Sequence, residues 1–174
     1  IKKTAMKRDC FRFTHALIQQ AIASQLTLSE RRQLHHIIGC GLEELYASDI
    51  ENHAAELAYH FSEAGTTDDL AKSVEYFTAA GDRAMAIYAH KESAAHYGRA
   101  LTEKETQPMD LEAASILSGL SRSLFLAGDG AEALGYLTRA FDYFETEGET
   151  ARAVDVVEVP YMPGLGAHRS VTGD

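Results

Sequence analysis

The side chains best suited to chemistry in this sequence are its histidines and cysteines. Eight histidines and two cysteines occur in 174 residues. His36 and Cys40 are four residues apart, and His53 and His60 are seven apart with Glu56 between them. On a helix each pair would lie on one face and could share a metal ion. A zinc site needs three or four convergent ligands, and neither pair has a third at a fixed spacing, so we predict no metal and no cofactor.

Nucleophilic catalysis is the second chemistry that these residues suggest. It requires Ser or Cys beside a histidine, with an acid that orients the imidazole. Cys40 with His36, and Ser93 with His96, could supply the first two groups. Both pairs lie within helical patterns, where such side chains face outward or fill the gap of a helix hairpin. We therefore predict no catalytic residue and no enzymatic activity for this segment.

Two further sets of polar residues are expected to serve the fold. His15 and His35 fall in the first helical hairpin, where a backbone or carboxylate partner would satisfy each ring. Four acids lie at predicted turns, and carboxylates at such positions cap helices by accepting hydrogen bonds from backbone N–H groups. These acids are Asp68, Asp69, Asp110 and Asp129. None of them is predicted to form a catalytic carboxylate pair.

The elements that must position these residues are helices. No proline occurs between Thr4 and Gln107, which removes the main obstacle to long helices. Phe11, Arg12 and Phe13 alternate as a short strand would. Apolar spacing predicts seven or eight helices, over residues 15–25, 30–46, 50–64, 70–88, 91–103, 111–126, 131–147 and from 149 to before Pro160.

Some helix ends and faces can be assigned in more detail. Ser29 is a good N-cap for the second predicted helix, and Gly65 is the expected end of the third. The apolar residues of the second helix recur at helical spacing and predict its packing stripe. That stripe consists of Leu34, Ile37, Ile38, Leu42 and Leu45.

The chain also contains an internal repeat with a period of 40 residues. Large residues recur opposite large ones, and small residues mostly recur opposite small ones, as in paired helices that approach closely. The first copy is Phe77, Gly81, Ser93, Tyr97 and Ala100; the second is Leu117, Ser121, Ala133, Leu137 and Ala140. The small residues would let the two helices of a hairpin come together. Tyr97 and Leu137 would fill the space between adjacent hairpins.

This spacing resembles the tetratricopeptide repeat, whose usual period is about 34 residues. The fold expected from the resemblance is all-α, a right-handed superhelix of antiparallel helix hairpins. We expect residues 1–48 to form an N-terminal junction with two helices and residues 49–148 to form the repeats. Residues 149–174 would be a truncated repeat or a flexible tail.

Charge and cysteine content limit the partners. The net charge is −10, and no Lys or Arg occurs from Gln33 to Ala71, so we predict no direct nucleic-acid contact. Seven of the basic residues lie within 1–32; an intramolecular contact with an acidic surface is favoured there over nucleic acid. The sequence contains no run of about 18 apolar residues, so no membrane span is predicted. Two cysteines without a disulfide or metal pattern, Cys10 and Cys40, indicate a cytoplasmic protein.

A wider resemblance covers residues 11–147. The segments 11–21, 31–35, 51–61 and 73–84 are similar to the region that follows the nucleotide-binding and winged-helix part of STAND-type signal-transduction ATPases. These are regulators joined to LuxR-type DNA-binding domains or to adenylate/guanylate cyclase domains. The resemblance implies a sensor segment that binds an inducer, a peptide or a partner protein and relays the event to its own upstream nucleotide-binding domain. No phosphate-binding loop of the type Gly-x-x-x-x-Gly-Lys-Ser/Thr occurs in this chain, so nucleotide hydrolysis is not predicted here.

In stacked hairpins the first helix of each pair lines the concave face, where partners bind. The residues expected on this face are Glu75, Thr78, Asp82, Met85, Ser115, Ser118, Arg122 and Phe125. Phe125 would be a reasonable anchor for a peptide. Two other functions stay open: a stand-alone adaptor that binds peptides, and a helical enzyme or metalloprotein that uses a histidine cluster.

Overall fold

The computed structural model describes residues 2–4, 10–12, 16–105 and 107–158, and it is all-α apart from one short pair of strands. The strands β1 (Lys2–Thr4) and β2 (Cys10–Arg12) are antiparallel, with Lys2 opposite Arg12. Eight helices lie in the described residues: α1 Ala16–Ala23, α2 Leu28–Leu45, α3 Ile50–Ala64, α4 Thr67–Ala86, α5 His90–Lys104, α6 Leu111–Ala127, α7 Gly130–Thr146 and α8 Thr150–Val157. The predicted all-α class is confirmed; β1 was not predicted, and His15 and Phe13 lie outside the described residues.

The start of α2 differs from the prediction. Its N-cap is Thr27, not Ser29: the Thr27 side chain accepts a hydrogen bond from the Glu30 backbone N–H, and the Glu30 carboxylate accepts one from the Thr27 N–H. This reciprocal pair is a capping box, which provides acceptors for two backbone N–H groups at once. The glutamate three residues after the cap therefore decides between two good capping residues.

Among the other predicted helix ends, those at Gly65 and Asp110 are confirmed, whereas the capping predicted for Asp129 and Asp68 is not found. Gly65 ends α3 in the left-handed conformation with φ 69°, which costs glycine little. Asp110 caps α6 by accepting a hydrogen bond of 2.7 Å from the Ala113 N–H. Asp129 stands at the N-cap of α7 without a side-chain hydrogen bond to the helix. Asp68 lies within the first turn of α4.

The described residues fall into two compact units, which are divided between Arg83 and Ala84. In the first unit α2 packs on α3. The two helices approach closely at Gly39, where an added Cβ would lie 3.0 Å from the Phe61 ring. Leu57, Ala58 and Phe61 of α3 are fully buried, and α4 adds further buried residues that include Val74 and Phe77.

Most of the apolar stripe predicted for α2 remains exposed and does not enter the core. Its members Leu34, Ile37, Ile38 and Leu45 are between 42% and 56% exposed, and Leu42 is half-buried. Gly39 is the only fully buried residue of the helix. The periodicity identifies the apolar face correctly, but the face that touches α3 is the one that carries Gly39.

The second unit has its core around α6. This helix packs closely on α5 and on α7, and α7 packs on α8. Eight residues of α6 are buried, and they share the core with small or aromatic side chains from the flanking helices, including Ala140, Phe144 and Val156. Nine of the ten repeat positions named from the sequence are buried, and Leu137 is half-buried.

Two contacts fix α5 against α6. The Ser93 and Ser123 hydroxyls form a buried hydrogen bond of 2.9 Å. The Tyr97 ring lies so close to Gly119 that an added Cβ would stand 2.5 Å from it. Because no larger residue fits there, Gly119 sets the distance between the two helices. Tyr97 does fill the space beside the next helix, but the glycine that admits it was not among the predicted small residues.

A buried lysine closes the link from α5 to α6. The Lys104 side chain is 5% exposed and contacts the carboxylates of Asp110 and Glu112. Burial lowers the pKa of Lys104, but the hydrogen bonds that Lys104 donates to Asp110 and Glu112 outweigh this effect and raise the pKa above its usual value. The charge is therefore retained inside the unit, where two carboxylates compensate it.

Candidate functional site

The eight residues predicted for a binding face all lie outside the buried core. On α4, Glu75 and Asp82 are exposed and Thr78 and Met85 are half-buried. On α6, Ser115 is exposed, and Ser118, Arg122 and Phe125 are half-buried. Within each helix the four residues fall three or four positions apart, so they form one continuous ridge. Each helix thus has one packed side and one accessible ridge.

The α6 ridge has neighbours of its own. Arg122 lies 3.9 Å from Asp155 of α8. Phe125 lies beside the backbone of Gly130, where an added Cβ would stand 3.5 Å from its ring. The turn between α6 and α7 therefore partly covers the aromatic side chain that was expected to anchor a peptide. Arg122 is the charged residue of this ridge, and its side chain is 43% exposed.

A different group of polar side chains converges in the first unit. His36 Nδ1 lies 2.8 Å from Asp69 Oδ1, and His36 Nε2 lies 3.7 Å from Cys40 Sγ. Asp69 is 1% exposed, whereas the His36 side chain is 52% exposed. The sequence indicated His36 with Cys40, but it did not indicate the acid. We refer to Cys40, His36 and Asp69 as the thiol–imidazole cluster.

Asp69 is therefore not a simple helix cap. Thr66 Oγ1 donates to Asp69 Oδ2 over 2.6 Å and accepts from the Asp69 N–H, so Thr66 takes the capping position of α4. Burial raises the pKa of Asp69, but hydrogen bonds from Thr66 and His36 outweigh burial and hold the pKa below its usual 3.8. The carboxyl group is ionised at neutral pH and accepts hydrogen bonds on both oxygens.

A cleft lies next to this cluster. It has a volume of about 680 Å³ and is bounded by the N-terminal half of α2, the end of α3 and the start of α4. Arg32, His36 and Asp69 line it together with Gly65. Arg32, His36 and Cys40 are spaced four residues apart on α2, so they form one ridge along that helix. Arg32 and His36 line the cleft, and Cys40 lies one turn beyond its lining.

A charged network borders the cluster on α4. Lys72 donates a hydrogen bond to Glu43 of α2 over 2.5 Å, and Tyr76 donates to the other oxygen of the same carboxylate. The Glu43 hydrogen bond raises the pKa of Lys72. Burial, followed by the Glu43 hydrogen bond, raises the pKa of Tyr76. Both groups keep their protons at neutral pH, so this network is a compensated ion pair.

The remaining histidines of the first unit are paired differently from the prediction. His35 is held by an imidazole and not by a backbone or carboxylate group: its Nδ1 lies 3.1 Å from Nδ1 of His60. Burial, followed by the nearby His35, lowers the pKa of His60. The His53 ring stacks on Tyr46 at 3.4 Å. His53 and His60 therefore do not form a common site.

No group of three side chains suited to holding a metal ion occurs among the residues that the structure describes. None of the described helices has both the length and the apolar composition needed to cross a membrane. A comparison with models of protein families finds no match, and comparisons with curated proteins and with solved structures find none either. The candidate sites among the described residues are the α4 and α6 ridges, the thiol–imidazole cluster and the exposed apolar face of α2. We call this last surface the α2 face, and it consists of Leu34, Ile37, Ile38 and Leu45.

Proposed function

We propose that this chain is a non-catalytic helical-repeat segment of a cytoplasmic multidomain signalling ATPase or transcriptional regulator. Its function would be to bind a partner domain, a peptide or a small inducer. The observation that carries the proposal is the exposed apolar face of α2, which consists of Leu34, Ile37, Ile38 and Leu45. A contiguous apolar surface of this kind marks an interaction site on a protein.

The geometry of α2 separates this face from the unit's own core. Leu34, Ile38 and Leu45 are four and seven residues apart, so they lie on one side of the helix. Gly39 is rotated by about 100° from Ile38, and it is the residue that approaches Phe61. The helix can therefore pack on α3 through one side and present the other to a partner.

The partner that we favour is the nucleotide-binding part of the same polypeptide. The resemblance to STAND-type ATPases implies that the first helices directly follow the winged-helix region. The surface that covers α2 would also need cations, because eight acids and no Lys or Arg occur from Gln33 to Ala71. Complementary charge around an apolar centre sets register and partner choice.

The sequence of the parent gene provides the first test. A phosphate-binding loop upstream, followed by a winged-helix region, supports the regulator proposal, and the downstream region would then identify the output domain. An open reading frame that contains only this segment would overturn it. A stand-alone adaptor would then be the leading function.

Binding measurements test the role of α2. The upstream nucleotide-binding region would be titrated with this chain by calorimetry, using the unmodified chain, Ile38→Asp and Leu134→Asp. Both positions are exposed apolar residues on helices, so neither substitution should unfold the chain. We expect Ile38→Asp alone to weaken binding. Equal affinities for all three chains would contradict a role for the α2 face.

The adaptor function rests on a separate observation, the ridge on α6 that contains Ser115, Ser118 and Arg122. These residues lie outside the core of the second unit. Arg122→Ala and Phe125→Ala would weaken binding of acidic or apolar peptides if the ridge is the binding surface. The Ile38→Asp substitution in the first unit would then leave peptide binding unchanged.

A further inference from the structure

The thiol–imidazole cluster has the geometry of an activated nucleophile. The imidazole lies between a thiol and a carboxylate. The distance from Cys40 Sγ to His36 Nε2 is 3.7 Å, and the distance from His36 Nδ1 to Asp69 Oδ1 is 2.8 Å. The three residues come from two helices, α2 and α4. This is the arrangement in which a base activates a nucleophile and a third group orients the base.

The Asp69 carboxylate determines which nitrogen of His36 carries the proton. An ionised carboxylate can only accept hydrogen bonds, so His36 Nδ1 must be the donor. In the neutral imidazole the lone pair is then on Nε2, the nitrogen that faces Cys40. Thr66 holds the second oxygen of Asp69 at 2.6 Å, so the carboxylate cannot rotate freely. The imidazole is thus prepared to take a proton from the thiol.

The surroundings of Cys40 limit the reactions that it can perform. Cys40 lies inside α2, where backbone N–H groups are bonded to carbonyls four residues earlier. An acyl-transfer reaction needs free donors to stabilise an oxyanion, and the interior of a helix does not offer them. Attack on a disulfide needs no such donors, because the group that leaves is itself a stable thiolate.

The charge of the cleft indicates the kind of disulfide. Arg32 lies one helical turn before His36 and lines the same cleft. Lys72, which interacts electrostatically with Cys40, is compensated by Glu43. A guanidinium at the edge of the cleft binds carboxylates well. The cleft, at about 680 Å³, falls within the size range of small-molecule sites.

We propose that Cys40 is a modification site for small disulfides that carry carboxylates. The Cys40 thiol gives its proton to His36 Nε2, and the sulfur attacks one sulfur of the disulfide. A bond forms between Cys40 and that sulfur, the original disulfide bond breaks, and the leaving thiolate takes the proton from His36. Cys40 is oxidised to a mixed disulfide while the leaving sulfur is reduced to a thiol. The reaction is stoichiometric, and it does not depend on the function proposed above.

The test measures the rate of mixed-disulfide formation with oxidised glutathione, followed by intact-protein mass spectrometry. Cys10 is the only other cysteine, so all chains would carry Cys10→Ser. The rate of the native chain would be compared with that of the same chain in urea. We expect the native rate to be about tenfold higher, because a thiol without a base is only a few per cent ionised at neutral pH. A native rate equal to or below the unfolded rate would overturn the proposal.

Matched variants identify the groups responsible. His36→Gln should bring the native rate down to the unfolded rate, whereas Glu44→Gln, at an exposed position of the same helix outside the cleft, should leave it unchanged. Arg32→Gln should slow glutathione disulfide but not the uncharged 2-hydroxyethyl disulfide. An unchanged native rate in folded His36→Gln would overturn the role of the imidazole. Equal slowing of both disulfides by Arg32→Gln would overturn the assignment of a carboxylate-bearing ligand.

Discussion

Helices α2 and α6 have similar lengths, 18 and 17 residues, but very different degrees of burial. In α6 eight residues are buried, because α5 and α7 pack closely on it. In α2 only Gly39 is buried, and five large aliphatic residues remain exposed. Both sequences are amphipathic. An apolar stripe therefore shows which side of a helix seeks a partner, but not whether that partner belongs to the same unit.

The largest difference is expected from the same substitution in both helices. Ile116 of α6 is fully buried and Ile38 of α2 is 42% exposed. Ile116→Ala should lower the free energy of unfolding by about 2–5 kcal/mol through lost contacts and a cavity. Ile38→Ala should change it by less than about 0.5 kcal/mol. Urea unfolding followed by circular dichroism measures both values, and similar losses would mean that α2 is packed.

This contrast also shows what the sequence could predict. The repeat positions were found because small residues such as Ser93 and Ala133 recur at a fixed spacing, and close helix contacts require small residues there. The C-terminal end of α3 was predicted because Gly65 is a strong local signal for the end of a helix. The position of Thr27 as the cap of α2 was also available, since Glu30 three residues later forms the capping box.

The candidate site was harder to predict for a physical reason. His36 and Cys40 are four residues apart, so helical geometry alone brings them together. Asp69 is 33 positions from His36, and no local rule links two residues across separate helices. The same holds for Tyr97 and Gly119, and for the pairing of His35 with His60. Long-range contacts of this kind depend on how the helices pack, which periodicity does not specify.

The second prediction concerns the glycine that separates α5 from α6. In Gly119→Ala the added methyl group would meet the Tyr97 ring at 2.5 Å. Overpacking of this kind costs about 1–3 kcal/mol, so the midpoint of urea unfolding should fall. A matched control is Gly135→Ala on α7, where an added Cβ meets nothing within 4 Å. If Gly119→Ala is as stable as this control, the helices are not in close contact.

Gly41 of α2, in contrast to Gly119, has open space around it. An added Cβ at Gly41 also meets nothing within 4 Å. Alanine loses less backbone entropy than glycine in a helix, so Gly41→Ala should raise the free energy of unfolding by about 0.5–1 kcal/mol. If the substitution also weakens binding to the upstream domain, Gly41 lies within the interface. A loss of stability in the chain alone would contradict an open α2 face.

The smallest expected effect is the pH response of the first unit. The pKa of His60 in the folded chain is below its ordinary 6.5, so the unfolded chain binds more protons once the pH falls below that value. The stability that neutral His60 provides is present above pH 6.5 and is lost as the pH falls through the lowered pKa. His60→Gln should remove this part of the pH dependence. Tyr59→Leu, which changes an aromatic neighbour of both His35 and His60, should retain it. If the two variants have the same pH dependence between roughly pH 7 and pH 5, the imidazole pair does not control the response.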